Sequence, residues 1–375
     1  MPIHFTTDEL HAWLRLSLEP GLSPAQARLL LGSLGLPPSI YEASSSMLLR
    51  YLPQELVAQI RQAPDQAMSQ QIAKTIAWLE HEQHHILTLA DPLYPAALLE
   101  LHDPPLILYI NGQLDYLRTP ALAMVGARNA TPGGMAIAQE FASYLASQGW
   151  LIYSGLANGI DQAAHRGALA AGPQAAGTIA VMGTGIDLVY PASQRQLAHD
   201  IVAHGALISE LPLGTKALPY HFPRRNRIVA ALSQGVLVVE AARQSGSLIT
   251  ARLATELGRE VFAIPGSIHS PLSRGCHALI RQGAKLVEQA QDILEELAPK
   301  HTAARPPTPH LSAEPSLSAL AKQVLRLLDY SPQSADSLQA LWAGEPSSLS
   351  QGLTELELAN LVTRLDTGSY QRLPS

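Results

Sequence analysis

The chain has 375 residues, 47% hydrophobic and 15% charged, which excludes a disordered chain and leaves room for two to four domains of roughly 100–200 residues each. Its one cysteine, Cys276, excludes a disulfide framework and any multi-cysteine zinc site, and makes a reducing compartment, the cytoplasm, the expected location. A net charge of −6 argues against a protein that coats duplex DNA over its whole surface, and no run of about 18 apolar residues or basic-then-apolar leader predicts a membrane span or signal peptide.

Residues 1–75 read as a small helical domain. Apolar residues at helical spacing predict a helix over Glu9–Leu18. Ser23 as N-cap and Pro24 at the first helical position open a second, Ala25–Leu34, which Gly35 and Pro37-Pro38 stop. Ser44–Leu52 and Pro53–Gln62 follow as further helices. The Pro20-Gly21-Leu22-Ser23 step has the form of a helix-hairpin-helix turn, which can hold a phosphate backbone. With little basic charge nearby beyond Arg15 and Arg28, a packing or interaction role is the better reading.

Residues 85–297 alternate short apolar runs with amphipathic helices. The strands are Ile107–Ile110, Ala121–Val125, Leu151–Tyr153, Thr178–Met182, Ala206–Ser209, Gly235–Val239 and Val261–Ile264. The helices include Gly134–Gln148, Ile160–Ala171, Ser193–His204, Arg225–Leu232 and Ser247–Leu257. Strands buried on both faces and separated by helices predict one α/β domain, a doubly wound parallel sheet. Residues 298–315, rich in Pro, Ala and Thr, read as a linker. Residues 316–375 read as helices Leu317–Leu328, Ser337–Trp342 and Ser347–Ala359, then strands Leu361–Leu365 and Ser369–Leu373 around Asp366-Thr367-Gly368. Three helices and a hairpin predict a winged helix. Its third helix holds Glu355 and Glu357 and no Lys or Arg, so it is a poor reader of a DNA groove. A protein-contact or dimer-stabilising role is expected instead.

Charge is unevenly placed. Pro120–Glu288 carries 13 Lys and Arg against nine Asp and Glu, so an acidic protein has one basic segment, and an anionic ligand is expected there. Glycine-rich turns follow successive strands of this segment. Val125-Gly126-Ala127-Arg128-Asn129 is the first; G-x-G-x-x-G would need glycine at 128 and 131, where Arg128 and Thr131 stand. Ser154-Gly155-Leu156-Ala157-Asn158-Gly159-Ile160-Asp161 is the second, with His165 one turn beyond Asp161; no nucleophile is spaced beside them, so a cap and a structural hydrogen bond are the expected roles. Met182-Gly183-Thr184-Gly185-Ile186-Asp187, with Tyr190-Pro191 after it, is the third. Together Gly126, Gly155, Gly159 and Gly185 predict a broad anion-receptive rim, not one nucleotide pocket.

Tyr220-His221-Phe222-Pro223-Arg224-Arg225-Asn226-Arg227 sets aromatic faces beside arginines, with Lys216 a few residues upstream. An unpaired nucleic acid needs cations for its phosphates and flat faces for its bases. The other reading is that Arg225 and Arg227 anchor the loop through buried ion pairs, and both can hold. Gly246, Ser247 and Thr250 open the next helix, where the hydroxyls can reach a phosphate or cap the helix. Cys276, without a paired histidine, is expected to be inert.

These strings, with Pro265-Gly266-Ser267 and Pro271-Leu272-Ser273-Arg274-Gly275-Cys276, resemble the DprA/Smf family of DNA-processing proteins, in the family's order and over about 85–297. Ala127 and His277 stand where that family more often has Ser and Asn. The resemblance implies a Rossmann-like core, a sterile-alpha-motif-like N-terminal module and a C-terminal winged helix. It implies a cytoplasmic, non-catalytic homodimer without cofactor or metal that binds single-stranded DNA during natural transformation, protects it and loads RecA on it. Arg128 is then a phosphate-binding arginine, Phe222 and Arg224 lie at the pocket rim, and Gly246 and Ser247 border it. The competing expectation is a LOG-like nucleoside monophosphate phosphoribohydrolase, whose P-G-G-x-G-T-x-x-E motif ends in an essential Glu; the corresponding stretch here runs Thr250-Ala251-Arg252-Leu253.

Overall fold

A computed structural model describes residues 6–297, 317–365 and 368–373. The expected linker, and Asp366-Thr367 of the hairpin signal, lie outside the described residues. The chain opens with six helices: α1 (Thr7–Leu18), α2 (Pro24–Leu34), α3 (Pro37–Glu42), α4 (Ser45–Leu48), α5 (Gln54–Ile60) and α6 (Gln66–Trp78). Thr6 and Ser23 cap α1 and α2 with reciprocal bonds from Glu9 and Gln26, each satisfying N–H groups that a helix start leaves open. Pro37-Pro38 ends nothing: Pro37 is the first residue of α3, where its missing N–H has no helical partner to lose. Arg15, one of the two cations near the Pro20–Ser23 turn, faces inward. It pairs with Glu19 at 3.1 Å and donates to the carbonyls of Ile60 and Gln62 at 2.7 and 2.6 Å. Arg28, the other, is exposed.

Strands β1 (His84–Thr88), β2 (Ile107–Gly112) and β3 (Ala121–Val125) lead to α7 (Pro132–Ser147), β4 (Leu151–Ser154), α8 (Ile160–Ala170), β5 (Thr178–Val181), α9 (Arg195–Ala203), β6 (Gly205–Ser209), α10 (His221–Ala231), β7 (Gly235–Val238), α11 (Ser247–Glu256), β8 (Glu260–Ala263), α12 (Arg274–Arg281), β9 (Lys285–Leu286) and α13 (Gln291–Leu297). The nine strands form one sheet in the order β1-β2-β6-β5-β4-β3-β7-β8-β9. From β3 the chain winds one way through β4, β5 and β6, then returns to β3's other side for β7, β8 and β9. All of these pair in parallel. The sheet is therefore doubly wound, and the direction reverses between β3 and β7, where such sheets hold ligands. It is not wholly parallel: β2 runs against β6, and β1 against β2. A short apolar run such as Ile107–Ile110 looks the same whichever way its neighbour runs, so the sequence expectation of a parallel sheet fails at this edge.

Alternation along β3 shows how the faces are filled. Ala121, Ala123 and Val125 join the core under α10, α11 and α12, while Leu122 and Met124 join the core under α7, α8 and α13. A third core joins the N-terminal helices to the sheet. Trp13 of α1 and Ile72 of α6 pack with Tyr109 of β2 and Ile201 of α9. The C-terminal unit is a winged helix of α14 (Ala319–Leu327), α15 (Ala335–Leu341), α16 (Pro346–Leu358) and the antiparallel pair β10 (Val362–Arg364) and β11 (Tyr370–Arg372). Val324, Leu338, Leu353 and Val362 are among its core residues. Glu355 of α16 accepts from the Ser318 N–H and hydroxyl at 2.7 and 2.6 Å.

Trp13 is 1% exposed, so Trp13→Ala should cost about 3–5 kcal/mol, the usual range for emptying a large buried site. Chemical denaturation would check this; an unchanged midpoint would show that α1 does not share the sheet's cooperative unit.

Candidate functional site

The loops after β3, β4, β5, β6 and β7 all leave the carboxyl edge of the parallel strands, and close packing sets their spacing. Gly159 begins α8 with φ of +78°, a conformation that side chains with a Cβ resist, and a Cβ there would strike the carbonyls of Ala127 and Arg128. The second turn is thereby pressed onto the first, and Gly126 in return lies against Ile160. The space beside Gly155 is filled by the guanidinium of Arg225, and Gly185 packs against Pro212 and Asp187. Two N–H groups of this expected rim are already used. Gly155 donates to Asp161 Oδ2 at 3.2 Å and Gly185 to the Thr215 carbonyl at 2.9 Å.

The arginines of α10 divide by depth. Arg225 and Arg227 are only 5% and 7% exposed, which removes them from the expected DNA-facing set. Arg225 donates to the Val181 carbonyl at the end of β5 and to Asn226 Oδ1 at 3.1 Å. Burial raises the Asp161 pKa and lowers that of Arg225, and each charge opposes the other's shift. Arg227 pairs with Glu210, and at 3.5 Å with Asp103. Arg224, 45% exposed at its side chain, also reaches Glu210, at 3.2 Å, while keeping a solvent face. Asn226 lies 3.4 Å from the exposed Gly246 carbonyl. Ser247 bonds the Ser245 hydroxyl at 2.7 Å, and both Ser247 and Thr250 are largely buried, at 8% and 1% exposed.

Arg128 and Phe222 do come together. The Arg128 guanidinium lies 5.5 Å from the Phe222 ring centroid, and both groups stand at the mouth of the strand ends. The Phe222 ring rests on Gly183, where an added Cβ would come within 2.9 Å of it. Tyr190 is the residue the sequence reading left out of the site. Its ring lies 5.6 Å from Phe222 and it is 52% exposed; its place in the Tyr190-Pro191 pair that ends the third glycine turn was the available signal. Lys216, Leu218 and Tyr220 are exposed on the adjoining loop. The result is a partly exposed cation beside two tilted aromatic faces.

A second feature shapes the same edge. In doubly wound sheets the first helix after the central strand commonly offers its N-terminus to a phosphate. Here Glu240, just after β7, has taken that place. It accepts from the Thr131 N–H at 2.9 Å and from the Thr131 hydroxyl at 2.7 Å, at the N-cap of α7. Burial raises the Glu240 pKa and the Thr131 donors pull it back. A phosphate at this terminus would meet a carboxylate.

The other expected chemical groups are structural. Thr178 donates its hydroxyl to the Ile152 carbonyl at 2.6 Å, so it receives the Nδ1–H of His165 at 2.7 Å. His165 is thus a neutral imidazole bonded away from Asp161. Cys276 is buried against the carbonyls of Val238 and Val239, and burial pushes its thiol up to about 12.

Burial lowers the His165 pKa to about 3. The unfolded chain takes up a proton near pH 6.5 that the folded chain refuses, so stability present above that pH is lost as pH falls toward 3, by about 1 kcal/mol per pH unit. His165→Asn, which keeps a donor for Thr178 and cannot titrate, should flatten this part of the pH–melting curve; an equal slope in both proteins would exclude His165 as its source.

Residues 85–298 match the family described as DNA recombination-mediator protein A, and residues 306–368 match the DprA winged helix domain. The chain is 47% identical to Protein Smf of Escherichia coli over 228 residues, a match spanning 60% of each chain. It is 35% identical to Protein Smf of Synechocystis over 328 residues, 78% of this chain and 82% of that one. Among solved structures, DNA processing protein A of Streptococcus pneumoniae superposes with a TM-score of 0.65 at 37% identity, covering 78% of this chain and 98% of the other. DNA processing protein A of Helicobacter pylori, described for its single-stranded DNA binding mode, superposes at 0.52 and 31% identity, covering 58% and 96%. With its core and winged helix both matched, the chain belongs to the DprA/Smf family of DNA-processing proteins.

Proposed function

We propose that this protein binds single-stranded DNA with little sequence preference, protects it on uptake during natural transformation, and mediates loading of RecA for recombination. In this reading it acts in the cytoplasm as a homodimer and breaks no bond. The observation that carries the reading is the Arg128–Phe222–Tyr190 group: a guanidinium 5.5 Å from one ring, and a second ring 5.6 Å from the first. A guanidinium recognises phosphate whatever the base, and an aromatic face stacks on any base, so the pair suits an unpaired strand without reading its sequence. The DNA-binding relative from Helicobacter pylori and the basic balance of residues 120–288 support the same ligand.

The acidic α16 supports a role for the winged helix other than groove reading, because its Glu355 is bonded to Ser318 and it offers no cation to a phosphate. The phosphoribohydrolase alternative finds less support. Leu253, where that motif has its Glu, packs against the apolar core.

Titration of a labelled oligothymidylate should give an affinity that falls steeply with salt, since counterions leave as phosphates bind; a flat salt dependence would reject the phosphate contacts. Arg128→Ala should weaken binding on every sequence and reduce the slope by about one. Phe222→Ala should cost about 1–3 kcal/mol, the range for one stacked base, and an unchanged Kd for it would remove the ring from the interface.

A further inference from the structure

The segment between β6 and α10, residues 210–220, carries Lys216, Leu218 and Tyr220 to the rim without helix or strand of its own. What holds it comes from two other parts of the chain. The Gly185 N–H donates to the Thr215 carbonyl at 2.9 Å. The Gly214 N–H, at a residue with φ of +81°, donates to Asp187 Oδ1 at 2.7 Å. The other oxygen of Asp187 receives the ammonium of Lys74, on α6, at 2.8 Å. Gln71, one turn earlier on α6, donates to the Leu213 carbonyl at 3.0 Å. A single carboxylate therefore joins three pieces: the turn that leads to Tyr190, the loop that bears Lys216 and Tyr220, and a helix of the N-terminal module.

We propose that Asp187 is a positioning residue for the DNA interface, and that α6 helps fix the shape of the 210–220 loop through it. This rests on the single-stranded DNA reading above. The Lys74 pair is half exposed and is the weaker half of the device; the bond to Gly214 is the stronger. Charge and positioning at Asp187 pull DNA affinity in opposite directions. Removing a carboxylate beside a phosphate path should tighten DNA binding on electrostatic grounds alone. Loss of positioning weakens it.

The full-length protein and its Asp187→Ala, Asp187→Asn, Lys74→Met and Arg128→Ala variants would be compared by oligothymidylate binding at one salt concentration and by hydrogen–deuterium exchange of residues 210–220 without DNA. Asp187→Ala should bind about threefold to tenfold more weakly, the cost of one hydrogen bond, with faster exchange in the loop. Asp187→Asn, whose amide oxygen can still accept from Gly214, should stay within about twofold of the parent. Binding by Asp187→Ala as tight as the parent or tighter, or a loss in Asp187→Asn equal to that in Asp187→Ala, overturns the proposal. If Asp187→Ala folds poorly, Lys74→Met is read by exchange instead: faster exchange in the loop supports the link to α6, and unchanged exchange overturns it. Failure of the parent to bind DNA, or unchanged binding by Arg128→Ala, counts against the functional reading, and the exchange measurement still decides the role of Asp187.

Discussion

The buried guanidinium of Arg225 is the constraint on which the mouth of the sheet depends. It starts from α10, fills the space beside Gly155 after β4, bonds the carbonyl that ends β5 and offsets the charge of Asp161 on α8. Four elements meet at one cation. A charge at that depth is tolerated because a carbonyl accepts from it and the charge of Asp161 opposes its loss on burial. With Arg225 in place, Phe222, three residues earlier on the same helix, is set over Gly183 and beside Arg128. The aromatic platform at the surface is thus built on a charge in the interior.

Glu210 does similar work one layer out. It takes Arg227 from inside and Arg224 from the rim, so one acid meets two arginines of α10. Arg224 and Arg227 are three residues apart, close to one helical turn, and so share a face; Arg225 lies between them and points elsewhere. The acidic groups on this edge therefore do not blanket it. They are spent on holding basic residues and backbone donors, while Arg128 and Lys216 are exposed.

Much of this was legible in the sequence because it depended on local pattern. The apolar runs and the intervening amphipathic segments mark the seven strands β2 to β8 and the helices between them, and the glycine turns mark where β3, β4 and β5 end. Direction was not legible at the β1–β2 edge, since pairing partners are chosen by the whole sheet. Depth was not legible within Arg224-Arg225-Asn226-Arg227 either. Three arginines in four residues differ only in where the helix rotation points them, and the groups that surround the Arg225 guanidinium, Gly155 and the Val181 carbonyl, lie on other elements. Tyr190 reached the site for a related reason: its turn folds back toward Phe222, 32 positions later in the chain, and no local spacing records that. Ser247 and Thr250 carried hydroxyls that suit a phosphate, yet both residues are largely buried.

The carboxylate of Glu240 at the start of α7 has a consequence for selectivity among anions. Free nucleotides bring a compact cluster of charge and want a compact cluster of donors; the place where this architecture would usually supply one is taken by an internal acid. A polymer makes a different demand. It can spread modest attractions over many repeating units, each too feeble to retain a monomer, and draw its grip from their sum. In the single-stranded DNA reading, an acid seated at the start of α7 disfavours a compact phosphate there and leaves the distributed mode of holding as the one the edge suits.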